Sequence, residues 1–328
     1  MNLFKQSIPL QALVILLAAV ALWIGAILTP QPMPQPEGGA VLYGLVYNLL
    51  SGTPRLAVVI ALILVIAEAA TFNLIIANNG LTSQNSLLPT LMFIICMSAP
   101  ATTLTPMVLV NALMVACLFQ LTIRGSLLTI PLEKACAATM LIGVASMFYP
   151  PSALMLISYL LVAINYRLYN WRDWFVLILG FIAPYFIVAT VLMFTDGLAG
   201  WWESGTSCFD GIDLVFERAN TLQNIGSTIM IIALLAGVVS VFSRSSESTM
   251  IWQKNAGTIL YMIVGGIFML AFSRIYPTDM QLFPLTFAFG TSCLLMPTKK
   301  LSRPRGRKNR DWIYTVILVL IIAAAFIC

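Results

Sequence analysis

The hydrophobic positions of this chain fall in long continuous runs rather than in alternation. Uninterrupted apolar runs of roughly 15–23 residues are the signature of bilayer-crossing helices, whereas a barrel alternates polar and apolar side chains along segments of about ten. The runs are Leu10–Leu28, Leu56–Ala77, Asn85–Ala99, Thr105–Ile123, Pro131–Phe148, Ser152–Tyr166, Trp174–Thr195, Ile225–Ser243, Ala256–Ser273, Met280–Met296 and Trp312–Ile327. They predict an all-α polytopic transmembrane bundle of about eleven spans, forming one integral membrane domain over residues 1–328. The first run is long for a signal peptide and no small-residue cleavage site follows it, so it reads as an uncleaved helix.

Two stretches, 85–123 and 131–166, each read as a pair of short spans broken at proline (Pro100 and Pro106; Pro150 and Pro151). Proline removes a helical hydrogen bond and clashes with the preceding turn. Fifteen residues reach only about 22 Å against a hydrocarbon core of about 30 Å. Such helices thin the bilayer or sit inside the bundle.

The alternating Pro30, Pro32, Pro34 and Pro36 predict an extended strap. Residues 39–50 are apolar but too short to span, and are expected to form an interfacial helix. In the polar loop 196–224, Asp210, Asp213, Glu217, Asn220 and Asn224 recur with helical spacing opposite Ile212, Phe216 and Ala219. That pattern predicts a second interfacial helix near 209–222, with Trp201 and Trp202 at headgroup depth.

Composition strengthens the membrane reading. Of 328 residues 60% are hydrophobic and 9% charged, against about 25% charged in soluble domains, and the mean hydropathy is +0.96. A water-exposed fold this apolar would aggregate.

The net charge of +5 does not point to nucleic acid, because the excess sits in one basic loop, 297–310. Placing the N-terminus in the cytoplasm and alternating eleven times leaves only Arg55, Arg218 and Arg274 of the 17 basic residues on the outer side. Basic residues resist translocation, so this asymmetry predicts a cytoplasmic N-terminus and a periplasmic C-terminus in a bacterial inner membrane. The six cysteines form no C-x-x-C pair and there is no histidine, so neither a metal nor a cofactor is expected.

Glu68 is the acidic residue expected deepest in a span. A carboxyl there costs at least about 2.5–3.5 kcal/mol on insertion scales. With Thr71 and Asn73 it forms a candidate substrate contact or proton relay. Glu203, Asp210 and Asp213 form a candidate outer carboxylate cluster. Arg172, beside Trp171 and Trp174, is a candidate grip for a lipid phosphate, and Arg303, Arg305 and Arg307 are further candidate headgroup contacts. Each has a plainer alternative: interhelical glue for Glu68, Asn73, Asn111, Gln120 and Asn165; a solvated face for the outer acids; an interfacial anchor for Arg172; a topogenic stop for the basic loop. The segment 78–85 reads as a solvated polar turn. No Walker A, G-x-S-x-G or H-E-x-x-H motif occurs.

Leu88-Pro89-Thr90-Leu91-Met92, Gly143-Val144-Ala145-Ser146-Met147-Phe148-Tyr149-Pro150-Pro151, Asn170-Trp171-Arg172-Asp173-Trp174 and Gly180-Phe181-Ile182-Ala183-Pro184-Tyr185 resemble an uncharacterised family of multi-spanning inner-membrane proteins from Bacteroidota. That resemblance implies a location and no activity. A looser likeness is to polyprenyl-linked glycan polymerases and glycosyltransferases. Many of those transferases carry an acidic pair in the first outer loop, where this chain has only Glu37.

Three classes follow. The leading one is a non-catalytic membrane or envelope-assembly component. The alternatives are a transporter or flippase of an amphipathic or lipid-linked substrate, and a membrane glycosyltransferase or polymerase. Expected partners are membrane lipids, with lipid-linked glycan or other envelope proteins as further partners. The topology is checked by a reporter fused after Cys328, expected on the periplasmic side; cytoplasmic labelling there would overturn it.

Overall fold

The computed structural model of the chain describes residues 8–36, 38–82, 86–98, 103–122, 130–208, 221–245, 248–272, 280–295 and 316–324. Among them every regular element is a helix: α1 (Ile8–Leu28), α2 (Val41–Leu50), α3 (Pro54–Asn78), α4 (Leu88–Ser98), α5 (Pro106–Thr122), α6 (Leu132–Phe148), α7 (Met155–Asn165), α8 (Trp171–Met193), α9 (Leu198–Ser207), α10 (Thr221–Ser245), α11 (Met250–Phe272), α12 (Pro284–Leu295) and α13 (316–324). Short 3₁₀ turns, Pro150–Leu154 and Met280–Leu282, lead into α7 and α12.

Proline sets several boundaries. Pro54, Pro106 and Pro284 open α3, α5 and α12, and Pro131 caps α6. The first turn of a helix has no internal partner for its N–H groups, so a residue lacking one costs nothing there. The two proline-split stretches are each two helices, α4 with α5 and α6 with α7. The extended strap carries the buried Met33, and the Tyr43 hydroxyl donates to Pro34 O at 3.0 Å.

The outer loop differs from expectation. It contains α9, which precedes the expected amphipathic segment. Residues 209–220 lie outside the described residues, and Thr221 and Leu222 belong to α10. The basic loop 297–310 also lies outside them.

Four described helices are long and apolar enough to cross a membrane: Pro9–Leu28 within α1, α3, α8, and Ile225–Ser245 within α10. Their outward faces carry Leu17, Ile63, Leu179, Phe186 and Leu235, all largely exposed. A continuous apolar exterior of this kind is suited to lipid rather than water.

At the centre lie two short helices. All of α4 is buried, and so is α12 except Leu294. They pack against each other; α3 flanks α4, and α10 and α11 flank α12. From this pair the bundle extends through α3 and then α5 to α6 and α8, and through α11 to α7. The α10–α12 crossing is very close: a Cβ on Gly237 would lie 2.7 Å from the backbone carbon of Gly290. Small residues at helix crossings permit such backbone approach, which matters where lipid removes the hydrophobic drive to associate.

A helix of 11 residues reaches about 16 Å, roughly half of a hydrocarbon core of about 30 Å. Its unpaired terminal N–H and C=O groups therefore end inside protein and need partners there. At the start of α4, Leu87 N donates to the Gln11 side chain (3.1 Å) and Leu88 N to Ser86 Oγ (3.2 Å). At its end, Gln281 Nε2 donates to Met97 O (3.1 Å) and Ser98 Oγ to Ile94 O. The last turn of α12 is met by Arg244, which donates to Cys293 O. Gln281 also receives hydrogen bonds from Thr105 (3.1 Å, to its side chain) and Asn111 (2.8 Å, to its carbonyl).

Gln281→Leu removes the cap and leaves Met97 O and Thr105 Oγ1 without these partners. A loss of about 1–3 kcal/mol is expected, the usual cost of an orphaned buried polar group, read as a lowered unfolding midpoint in detergent.

Candidate functional site

Glu68 lies mid-way along α3, where α4 and α5 cover that helix, and is 3% exposed. Neither carboxyl oxygen has a hydrogen-bond partner. One turn further along, Phe72 packs on Phe93 of α4, ring centroids 5.7 Å apart. A buried carboxyl with no partner is costly whichever form it takes, and Glu68 is the one buried acidic residue among the described residues.

Thr71 and Asn73 do not join it. At 100° per residue, Asn73 lies about 140° around the helix from Glu68, whereas Thr71 lies only about 60° away. Thr71 is exposed, and its hydroxyl is spent on its own helix, on Ala67 O (2.9 Å) and Glu68 O (2.8 Å). Asn73 is half-buried.

A second candidate is a cavity of about 180 Å³ at the end of the bundle where α6 and α8 finish. Its walls include Met147, Pro150, Tyr185, Trp201 and Trp202. The Tyr185 and Trp201 rings lie 6.0 Å apart, tilted by 34°. The Tyr185 hydroxyl donates to Ser146 Oγ at 2.6 Å, tying α8 to α6. Helix α9 closes the cavity by lying on the turn at Gly38–Gly39. Trp201 Nε1 donates to Gly39 O (3.1 Å) and Cys208 Sγ to Gly38 O (3.2 Å). Gly39 has φ +85°, and a Cβ there would come within 2.6 Å of Gly205 Cα. Both facts demand glycine. Nearby, burial and then the neighbouring Tyr47 push the Tyr43 phenol well above its ordinary range, so it remains a donor to Pro34 O and Leu104 O.

The other candidates are scattered. Glu203 is exposed on α9, and Asp210 and Asp213 lie outside the described residues. Arg172 is exposed, its guanidinium carbon 5.7 Å from the Trp171 ring centroid, an interfacial cation–π contact. Arg303, Arg305 and Arg307 lie outside the described residues. Among the described residues no three His, Cys, Asp or Glu side chains gather as metal ligands would.

One polar network goes beyond the reading of 78–85 as a solvated turn. Asn79 is buried; Asn255 Nδ2 donates to Asn79 Oδ1 (2.9 Å), and Tyr166 OH donates to Asn255 Oδ1 (2.9 Å). Close by, Asn165 Nδ2 donates to Lys254 O (3.0 Å) and Trp252 Nε1 to Leu81 O (3.1 Å). These bonds stitch α3, α7 and α11 together at the end opposite the cavity. The only sequence signal for them is amide and aromatic residues at the margins of apolar runs, which interfacial residues share.

No family model, no curated protein and no solved structure matches this chain. The site therefore rests on its own geometry.

Gly39→Ala is expected to lift α9 from its seat and raise the rate of maleimide labelling at Cys208 several-fold. Gly44→Ala, whose added Cβ meets nothing within 4 Å, is the matched control and should leave that rate unchanged.

Proposed function

We propose that this chain is a multi-pass protein of the bacterial inner membrane, crossing it eleven times with the N-terminus in the cytoplasm and the C-terminus in the periplasm, and that it serves there as a non-catalytic membrane or envelope-assembly component. The observation that carries the proposal is the closed centre of the bundle. The α4–α12 pair fills the axis with buried side chains, and the ends of both helices are tied to distant parts of the chain. Such a centre favours a rigid membrane platform over a passage. Charge supports the orientation. Among the described residues Lys134, Arg167, Arg172, Arg244 and Lys254 belong to the end that holds the Asn79–Asn255 pair, and Arg55 to the cavity end, as retention of basic residues in the cytoplasm requires.

A transporter or flippase is the second reading, and Glu68 is its specific support. A buried carboxyl without a partner is what a proton- or cation-coupled carrier places in its interior.

Rescue of a deletion strain separates the two. Under the first reading Glu68→Gln restores the phenotype fully, as does Asp210→Ala with Asp213→Ala. Loss of rescue by Glu68→Gln, with wild-type amounts of protein in the membrane fraction, would overturn it in favour of transport. Loss of rescue by the Asp pair alone would move the reading to the outer carboxylates.

A further inference from the structure

The cavity between α6, α8 and α9 has no part in the reading above, and its walls define what it can hold. Most of its polar side-chain groups are already engaged. The Ser146 hydroxyl donates to Gly143 O (2.6 Å) while accepting from Tyr185. The Thr206 hydroxyl donates to Trp202 O and Glu203 O, both at 3.0 Å, and the Trp201 N–H is spent on Gly39 O. A sugar would bring more hydroxyls than these walls have side-chain donors to meet, and leaving such groups unpaired is costly. Ordered water, which needs two to four polar partners, is disfavoured for the same reason.

What remains is an apolar surface of rings, thioether and proline. At about 180 Å³ the cavity is in the size range of an apolar void of about 150 Å³ that binds benzene. It therefore accepts a chain segment of about six carbons rather than a whole lipid. It reaches the surface beside Trp202, 68% exposed, and the exposed Thr206. A Trp at a cavity mouth presents an apolar ring inward and a polar edge outward, as at membrane interfaces.

We propose that this cavity binds the hydrocarbon chain of a membrane lipid, acyl or isoprenoid, with the lipid's polar head left outside beside Trp202. The proposal rests on the membrane reading above. Because lipid tails are already in an apolar medium, retention comes from dispersion contact with rigid aromatic walls rather than from escape from water. Selectivity then follows chain shape and not headgroup chemistry.

Photolabelling of the full chain in native membranes tests this. One arm uses a phospholipid with a diazirine at the end of one acyl chain; a second uses a polyprenyl phosphate with a diazirine on its chain; a third uses a free hexose carrying the same diazirine. Expected is cross-linking of at least one lipid probe concentrated on residues 146–150, Tyr185 and 201–206, with the stronger arm identifying the chain. Gly205 lines the cavity, and Gly205→Leu adds bulk to that wall at a position where an added Cβ meets only Gly39 Cα, at 4.0 Å. It should reduce that labelling several-fold and leave labelling of the exposed Phe186 face unchanged. Trp202→Ala removes a wall without adding bulk, and should also reduce it. Lipid labelling spread evenly over exposed apolar faces, or insensitive to both variants, would overturn the proposal, as would cavity labelling by the hexose probe alone. A carbonate wash distinguishes this from failure of the membrane reading, which would release the protein into the soluble fraction.

Discussion

Two helices too short to cross a bilayer, α4 and α12, pack against each other at the centre, and the other helices take their places around them. The constraint behind this is backbone polarity. A helix that stops half-way through a hydrocarbon layer leaves several N–H and C=O groups with no water to meet. Those groups force polar side chains into the interior at defined places. Gln11 meets the start of α4, Gln281 meets its end, and Arg244 meets the end of α12. Each comes from a part of the chain distant in sequence, so the caps also determine which helices are neighbours. Gln11 thereby ties α1, and Gln281 the Met280–Leu282 turn, to the two ends of α4.

Packing supplies what hydrophobicity does not. In lipid, apolar side chains gain little by turning inward, so association depends on close contact and on interhelical hydrogen bonds. Gly237 against Gly290 brings α10 and α12 to backbone contact. Gly143 lies against Phe181 O in the same way, joining α6 to α8. Polar pairs work at the ends: Asn79 with Asn255, and Trp23 Nε1 donating to Ser98 Oγ at 2.8 Å. The interior is therefore specified by a few small residues and a few amides, set in a background of exchangeable aliphatic side chains.

Glu68 and the aromatic cavity stand apart from this scheme. The Glu68 carboxyl is buried and unmet, as are the smaller hydroxyls of Thr90, Thr103 and Ser152, and it is the acidic group among them. The cavity is the converse: most of its polar side-chain groups are met, and what is unfilled is apolar space. The segments 143–151 and 180–185 come together at this cavity through Ser146 and Tyr185.

Helix existence was legible from sequence because it depends on local matters, the length of apolar runs and the position of proline. The breaks at Pro106, Pro131 and Pro150, and a short helix over Val41–Leu50, follow from those alone. The place of Glu68 near the middle of α3 was legible too, since rise per residue is constant. Its isolation from Thr71 was not, because a threonine can satisfy itself on its own helix. Asn79 looked like turn chemistry, and became half of a buried pair only because Asn255, 176 positions away, is brought beside it. α9 was hidden for a related reason: Leu198–Ser207 has weak helical patterning of its own, and its seat is a glycine turn in another part of the chain. The sequence by itself determined that this is a bundle of apolar helices and roughly where most of them lie. Only the tertiary structure decided which two are enclosed, which amides meet, and where a cavity is left, because each of those depends on contacts between segments that no local pattern encodes.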